Sequence, residues 1–452
     1  MNIIIVGAGK LGSAFAEQLV SEGHSIVIVD KEGTVLRKSL EKKDISTVQG
    51  NGASSDVLIE AGAQRADILI ACTVSDELNM LSCLIARKLG TKHTIARVRD
   101  PEYYKQVDLL KDDLGLSMAV NPDLASAEEL SRMIVIPSAN KVELFAKGKV
   151  ELVEYKLPEG CLLDGLCLSE FYIRTKIKLL VCSVCRDGNV YIPNGSFCTQ
   201  AGDIIYISAQ HSEILKFFRI LGKSNAKLDT AMIVGGGRIG YYLAQKLLKM
   251  GMSVKIIEKK KEVCETLAER LPKVTVVRGD GADRDLLLEE GYNRADAFFA
   301  LTGDDEDNMV MSVYAKEDGC KKIITKLSHN LSFGASFGLD CVVIPQKVVA
   351  NNVTSYVRAM QKSGDSNVET VYSLIDGKAE ALEFILRDES ASYYNVPLSA
   401  LRSKFKKNLL IACISRNREI IIPGGNDSFR YGDSVVVVTA ESGFYDFLDI
   451  FE

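Results

Sequence analysis

Gly7-Ala8-Gly9-Lys10-Leu11-Gly12 follows the apolar run Asn2–Val6, and Gly235-Gly236-Gly237-Arg238-Ile239-Gly240 follows Ala231–Val234. These two stretches decide how the chain is read. Each opens a helical pattern, and in each half the next apolar run ends on an acid, Asp30 or Glu258. A glycine triplet alone is a weak signal. Set between a strand and a helix, with a carboxylate about 20 residues on, it is a strong one for a nucleotide-binding turn. The first glycine allows the tight turn, the second lets the backbone approach a pyrophosphate, and the third lets helix pack on strand. The phosphates then lie at a helix N-terminus, where free N–H groups favour negative charge. Asp30 and Glu258 are placed to accept hydrogen bonds from ribose hydroxyls and would repel a 2′-phosphate, so NAD(H) is expected over NADP(H) in the first site. ATP and ADP present the same ribose.

Outward from these turns the two halves keep matching. Gly50-Asn51-Gly52 falls on Gly279-Asp280-Gly281, and Thr73, Asp76 and Asn79 fall on Thr302, Asp305 and Asn308. Arg97 falls on Lys326, and farther on Arg186…Pro193-Asn194-Gly195…Gly202-Asp203 falls on Arg416…Pro423-Gly424-Gly425…Gly432-Asp433. The order is A-B-A′-B′, and repeats this long are tandem domains rather than solenoid units. Module A alternates strand-like runs (Asn2–Val6, Ser25–Asp30, Ile45–Val48, Asp67–Thr73, Thr94–Val98) with helical patterns such as Asp76–Leu89. That alternation predicts an α/β fold, a Rossmann-like doubly wound parallel sheet in each half. A further helix starts after Pro122, and its counterpart after Pro345. Module B has shorter strands with turn signals and a closing helix near Ser212–Leu221, which predicts a small α+β domain. The expected units are 1–136, 141–222, 228–361 and 365–452, with Gly222–Asp229 as the linker between halves.

Each repeated position has a chemical reading. Thr73 and Thr302 end strands at the carboxyl edge of the sheet, where ligands bind. Asn51 and Asp280 suit either the adenine edge or a plain turn. Arg97 and Lys326 put a cation at the same edge, facing phosphate, a carboxylate on the next segment, or solvent. Neither half offers a Ser/His/Asp set, a Cys paired with a nearby His, or a proton-transfer group for hydride chemistry. A bifunctional NAD-dependent oxidoreductase is the alternative reading, and the missing acid–base group counts against it.

Composition bounds the rest. The chain has 452 residues, 47% hydrophobic and 25% charged, with a net charge of −5. No basic face for nucleic acid is visible. No apolar run reaches the roughly 20 residues that cross a bilayer. The first residues already read as a strand, so no signal peptide is visible and a cytosolic protein is expected. The 11 cysteines are scattered and odd in number, so free thiols are expected. Cys182 and Cys185 fall on opposite faces of a strand, and His24, His93, His211 and His329 lack metal-ligand spacing.

The array of motifs resembles the TrkA family of Trk potassium-uptake regulators, built from two tandem RCK (KTN) units, over essentially the whole chain. The resemblance implies that each unit is an NAD-binding lobe (RCK_N, TrkA-N), a crossover helix and a smaller RCK_C (TrkA-C) lobe. It implies a non-catalytic, nucleotide-sensing regulatory subunit, cytoplasmic and peripheral on the inner face of the plasma membrane. It implies a homo-tetramer forming a ring beneath a TrkH/TrkG-type membrane potassium transporter, whose pore NAD(H), ATP or ADP gates by changing the ring. By this resemblance the first-site contacts are Gly7, Ala8, Gly9, Lys10, Leu11, Gly12, Asp30, Asn51, Thr73 and Arg97. Those of the second are Gly235, Gly237, Arg238, Ile239, Glu258, Asp280 and Thr302. Lys326 in place of arginine and Gly303 after Thr302 depart from the first site and leave the ligand of the second site open.

Overall fold

A computed structural model describes residues 1–452 except 35, 37–44, 146–149, 224–226, 329–338, 340, 362–367, 376–377, 418, 442–443 and 445. The middle of the predicted linker, His329 and the expected start of the last unit at 365 therefore lie outside the described residues. Strands β1 (Asn2–Val6), β2 (Ser25–Asp30), β3 (Ile45–Gln49), β4 (Ile68–Ala71), β5 (His93–Arg97) and β6 (Met118–Val120) form a parallel sheet in the order β3-β2-β1-β4-β5-β6. Ile3–Val6 and Ile68–Ala71 are buried throughout, as expected where helices cover both faces of a sheet. The order reverses between β1 and β4, which opens a crevice at their carboxyl ends. β6 and the helix Pro101–Leu110 add to the strand–helix alternation that the sequence predicts.

The antiparallel sheet that follows contains β7 (Lys141–Phe145), β8 (Val150–Lys156), β9 (Leu180–Arg186), β10 (Asn189–Tyr191) and β11 (Ile204–Ala209). Then β12 (Thr230–Val234), β13 (Ser253–Glu258), β14 (Thr275–Arg278), β15 (Ala297–Ala300), β16 (Lys322–Lys326) and β17 (Val342–Val343) repeat the parallel sheet in the equivalent order. Finally β18 (Val368–Leu374), β19 (Ala379–Ile385), β20 (Leu409–Arg416), β21 (Glu419–Ile421) and β22 (Ser434–Thr439) repeat the antiparallel one.

The repeated Arg…Gly-Asp pattern has a structural cause. Arg186 donates from Nε and Nη2 to the two carboxylate oxygens of buried Asp203, both at 2.7 Å. Arg416 forks onto Asp433 in the same way, at 2.9 and 2.8 Å. The expectation that every cysteine is free needs correcting. Cys167 and Cys198 form a disulfide across an antiparallel bridge, with their Cα atoms 3.8 Å apart. Leu168 N–H donates to Phe197 O and Thr199 N–H to Leu166 O, so two loops distant in sequence close onto each other there. Proximity of that kind leaves no trace in cysteine spacing. The matching bridge of the second half is Pro397 with Ser428. Cys182 is buried while Cys185 is half-buried, in keeping with opposite faces.

Tandem modules give no hint of how the halves engage. The crossover helix Pro122–Val135 leaves the first parallel sheet and packs on Arg238–Lys249 of the second, burying Ala127, Leu130 and Met133 with Leu243 and Leu247. The helix Pro345–Gln361 reciprocates, laying Val349, Val353 and Val357 on Phe15 and Leu19 of Lys10–Ser21. The antiparallel sheets also meet face to face, through Leu152, Cys182 and Tyr206 against Ala381, Cys413 and Val436.

Ion pairing reinforces one side of this exchange. Arg358, 7% exposed on the second crossover helix, spans Glu22 at 2.6 Å and Glu380 at 2.8 Å. Burial raises the Glu22 pKa against the pull of Arg358. Removing one partner of a buried charge cluster costs about 3–5 kcal/mol, so Arg358→Met should lower the denaturation midpoint accordingly; a wild-type transition would show that the cluster contributes nothing. His24, 3% exposed beside it, has a pKa lowered from 6.5 to about 4 by burial, the Met1 amine and Arg358, with Asp67 opposing. Above pH 6.5 this imidazole is neutral in both folded and unfolded chains. Below it, only the unfolded chain takes the proton until pH nears 4, so stability should fall across that window by up to about 3 kcal/mol. Urea titrations at several pH values should show that decline, and a smaller one in His24→Gln.

Candidate nucleotide-binding site

Both glycine turns sit at the carboxyl ends of β1 and β12, in the crevices where strand order reverses. Gly7 and Gly235 hold φ at +105° and +108°, a region that disfavours side chains. A Cβ on Gly12 would lie 1.9 Å from the Gly7 oxygen, and one on Gly240 2.3 Å from the Gly235 oxygen, so the third glycines are fixed by packing. A Cβ on Gly9 or Gly237 would meet nothing within 4 Å. The second glycines therefore face open space, where a phosphate can approach the backbone. Lys10 and Arg238 are exposed at the first helical positions, while Leu11 and Ile239 turn inward to the apolar clusters.

Each acid at the end of the second strand is tied to its glycine turn. Asp30 accepts from Ala8 N–H at 2.6 Å and from Glu32 N–H at 3.0 Å. Glu258 accepts from Gly236 N–H and Lys260 N–H, both at 2.8 Å. The carboxylate is thus aimed across the turn, with lone pairs left for ribose hydroxyls. Asn51 and Asp280 form turns on their own backbone, with Ala53 and Ala282 N–H donating at 3.2 and 3.1 Å. The glycines beside them are required by packing: a Cβ on Gly52 or Gly281 would lie 2.1 Å from a valine methyl of the first strand. Asp280 also takes Lys259 at 2.6 Å, which holds its pKa below the usual carboxylate range.

The floor of each crevice is organised by an asparagine beyond the sequence-predicted contacts, Asn79 or Asn308. Thr73 donates from N–H and Oγ1 to Asn79 Oδ1, both at 2.7 Å, and Asn79 Nδ2 donates to Arg97 O at 3.0 Å. Thr302, Asn308 and Lys326 repeat the set at 2.8, 2.8 and 3.0 Å. The Arg97 guanidinium and the Lys326 ammonium each donate to the carbonyl of the matching threonine. Burial lowers the pKa of both cations. The repeat of Asn79 as Asn308 was a signal available in the sequence. Asp123 gave none, since Gln346 stands at its place in the second half.

Asp123, on the first turn of the first crossover helix, is where the two crevices meet. Burial raises its pKa, while Arg99, Arg238, Arg97 and Lys326 pull it down. Those cations come from both halves. Lys10 of the first turn likewise acts on Lys326 of the second half. Arg97 Nε, Arg99 Nε, Asp123 Oδ2 and Gln346 Oε1 are buried without a hydrogen-bond partner among the described residues. An open backbone cradle beside unsatisfied guanidinium donors fits the phosphates of a nucleotide.

Comparison with known proteins agrees with this geometry. The TrkA-N domain model matches residues 3–122 and 231–333, and the TrkA-C domain model matches residues 152–222. The chain is 33% identical over 442 residues to the Trk system potassium uptake protein TrkA homolog of Archaeoglobus fulgidus, covering 97% of each chain. The chain belongs to the TrkA family. It is also 33% identical to the Trk system potassium uptake protein TrkA of Haemophilus influenzae, covering 98% of this chain and 96% of that one. A solved structure of the GsuK channel bound to NAD shares the fold, with a TM-score of 0.61 and 19% identity over 97% of this chain and 76% of that one. No described helix is long and apolar enough to cross a membrane.

Within this TrkA-family crevice, Asn79→Ala and Asn308→Ala each strip a buried hub of its acceptor and donor. Each should cost about 1–3 kcal/mol, measured by urea denaturation. No loss in either variant would mean that the threonine edge holds itself.

Proposed function

We propose that the protein is a cytoplasmic nucleotide-sensing regulatory subunit of a Trk-type potassium uptake system, with domains at 1–136, 141–222, 228–361 and 365–452. The observation that carries this reading is the pair of carboxylate-tipped glycine turns whose cationic floors converge on Asp123 through exchanged crossover helices. NAD(H) is the favoured ligand because Asp30 and Glu258 suit ribose hydroxyls. ATP and ADP carry the same ribose with more phosphate charge for Arg97, Arg99 and Arg238. Gly9, Lys10 and Arg238 line the phosphate approach, and Asn51 Nδ2, with no partner among the described residues, suits the adenine edge.

A ligand can shift the protein between two arrangements only by binding one of them better. Charge added at either crevice changes the field on cations from both halves, so each site is placed to bias the crossover helices. A coupling of about 1–3 kcal/mol per site is typical of such linkage. Four such chains in a ring beneath a TrkH/TrkG-type membrane protein would sum those biases on the pore, with the ring peripheral to the inner face of the membrane. Titration of NADH, NAD, ATP and ADP tests the reading. Asp30→Ala should weaken NADH binding at the first site at least tenfold, and Glu258→Ala should act on the second site alone. Wild-type NADH affinity in the double variant would overturn it.

A further inference from the structure

Away from the glycine turns, a cavity of about 700 Å³ lies between the end of the first crossover segment, the first antiparallel sheet and the second parallel sheet. Leu157, Pro158 and Leu228 form part of its apolar wall. Lys156, Lys223, Lys316, Lys321 and Lys322 line it, and no Asp or Glu does among the described residues. Lys321 is already paired with Asp296, at 2.6 Å, so the other lysines carry the excess charge.

Lys322 is the decisive member. It is 4% exposed, and its ammonium donates to Ala139 O at 2.6 Å and to Cys341 Sγ at 3.1 Å. No carboxylate pairs with it among the described residues. A buried ammonium without a counter-charge is unfavourable, and Arg358, equally buried, has two carboxylates. On the same wall the Tyr155 hydroxyl is buried and lacks a partner among the described residues. His93 opens β5 where Lys322 opens β16, so the buried lysine is not repeated at the equivalent position of the first half.

We infer that this cleft is an anion site, in which a phosphoryl dianion supplies a counter-charge to Lys322, which has none among the described residues. Lys156 and Lys223 at the exposed rim focus the field that draws the anion in. The volume suits inorganic pyrophosphate or a small organic phosphate whose body rests on the apolar wall. Such a ligand would bridge Lys156 of the antiparallel sheet to Lys322 of the second parallel sheet, joining units that the crossover segment links. It would act independently of the glycine turns.

Amine-directed acetylation of the full chain, read by mass spectrometry, tests this with inorganic pyrophosphate and with AMP as probes. Lys156 and Lys223 should gain at least threefold protection, saturating with the probe, and the probe active at lower concentration identifies inorganic or organic phosphate as the source. Lys322→Met should shift half-saturation at least tenfold. Should that variant fail to fold, the exposed pair Lys156→Gln and Lys223→Gln should abolish protection of Lys316. Protection that never saturates at millimolar probe, or that is unchanged in these variants, overturns the inference.

Discussion

The reciprocal burial of two crossover helices is the interaction on which the rest of the structure depends. Each helix carries an apolar stripe that its own half does not cover: Ala127, Leu130 and Met133 on the first, Val349, Val353 and Val357 on the second. Burial of such stripes is worth on the order of 1.5–3 kcal/mol per fully covered large side chain, far more than the few polar contacts that accompany it. Because each stripe finds its cover on the other half, neither half is complete alone. The crevices are brought together by the same exchange, since Asp123 stands on the first turn of one exchanged helix.

The site gains its character from that convergence. An isolated Rossmann-like turn offers backbone N–H groups and one acid. Here the floor adds Arg97, Arg99, Arg238 and Lys326 around one carboxylate. Low-dielectric surroundings strengthen every such interaction, so a phosphate arriving on either side alters a field that both sides share.

Much of this was legible in the residues. The glycine turns, the acids and the apolar strands follow local rules of spacing, and β1 and β2 have the predicted bounds. The duplication also marked Thr73, Asn79 and Arg97 with their counterparts. What could not be read was contact between distant segments: the exchange of helices, the Cys167–Cys198 bridge and the Arg358 cluster. Each depends on which surfaces meet after the modules form, and spacing within a module carries no record of that. Gly52 and Gly281 mark the boundary between the two kinds of information. Their motif was visible, but its cause, a valine methyl 2.1 Å from any added Cβ, appears only in three dimensions.

Fusing the two halves into one polypeptide has an evolutionary consequence. In an assembly of identical subunits, any replacement at a two-fold interface is inherited by both sides at once. A single chain escapes that rule. Asp123 corresponds to Gln346, Asn51 to Asp280, Arg97 to Lys326 and His93 to Lys322. A departure of this kind needs no mirror image, so the two crevices of one scaffold can differ in their chemistry.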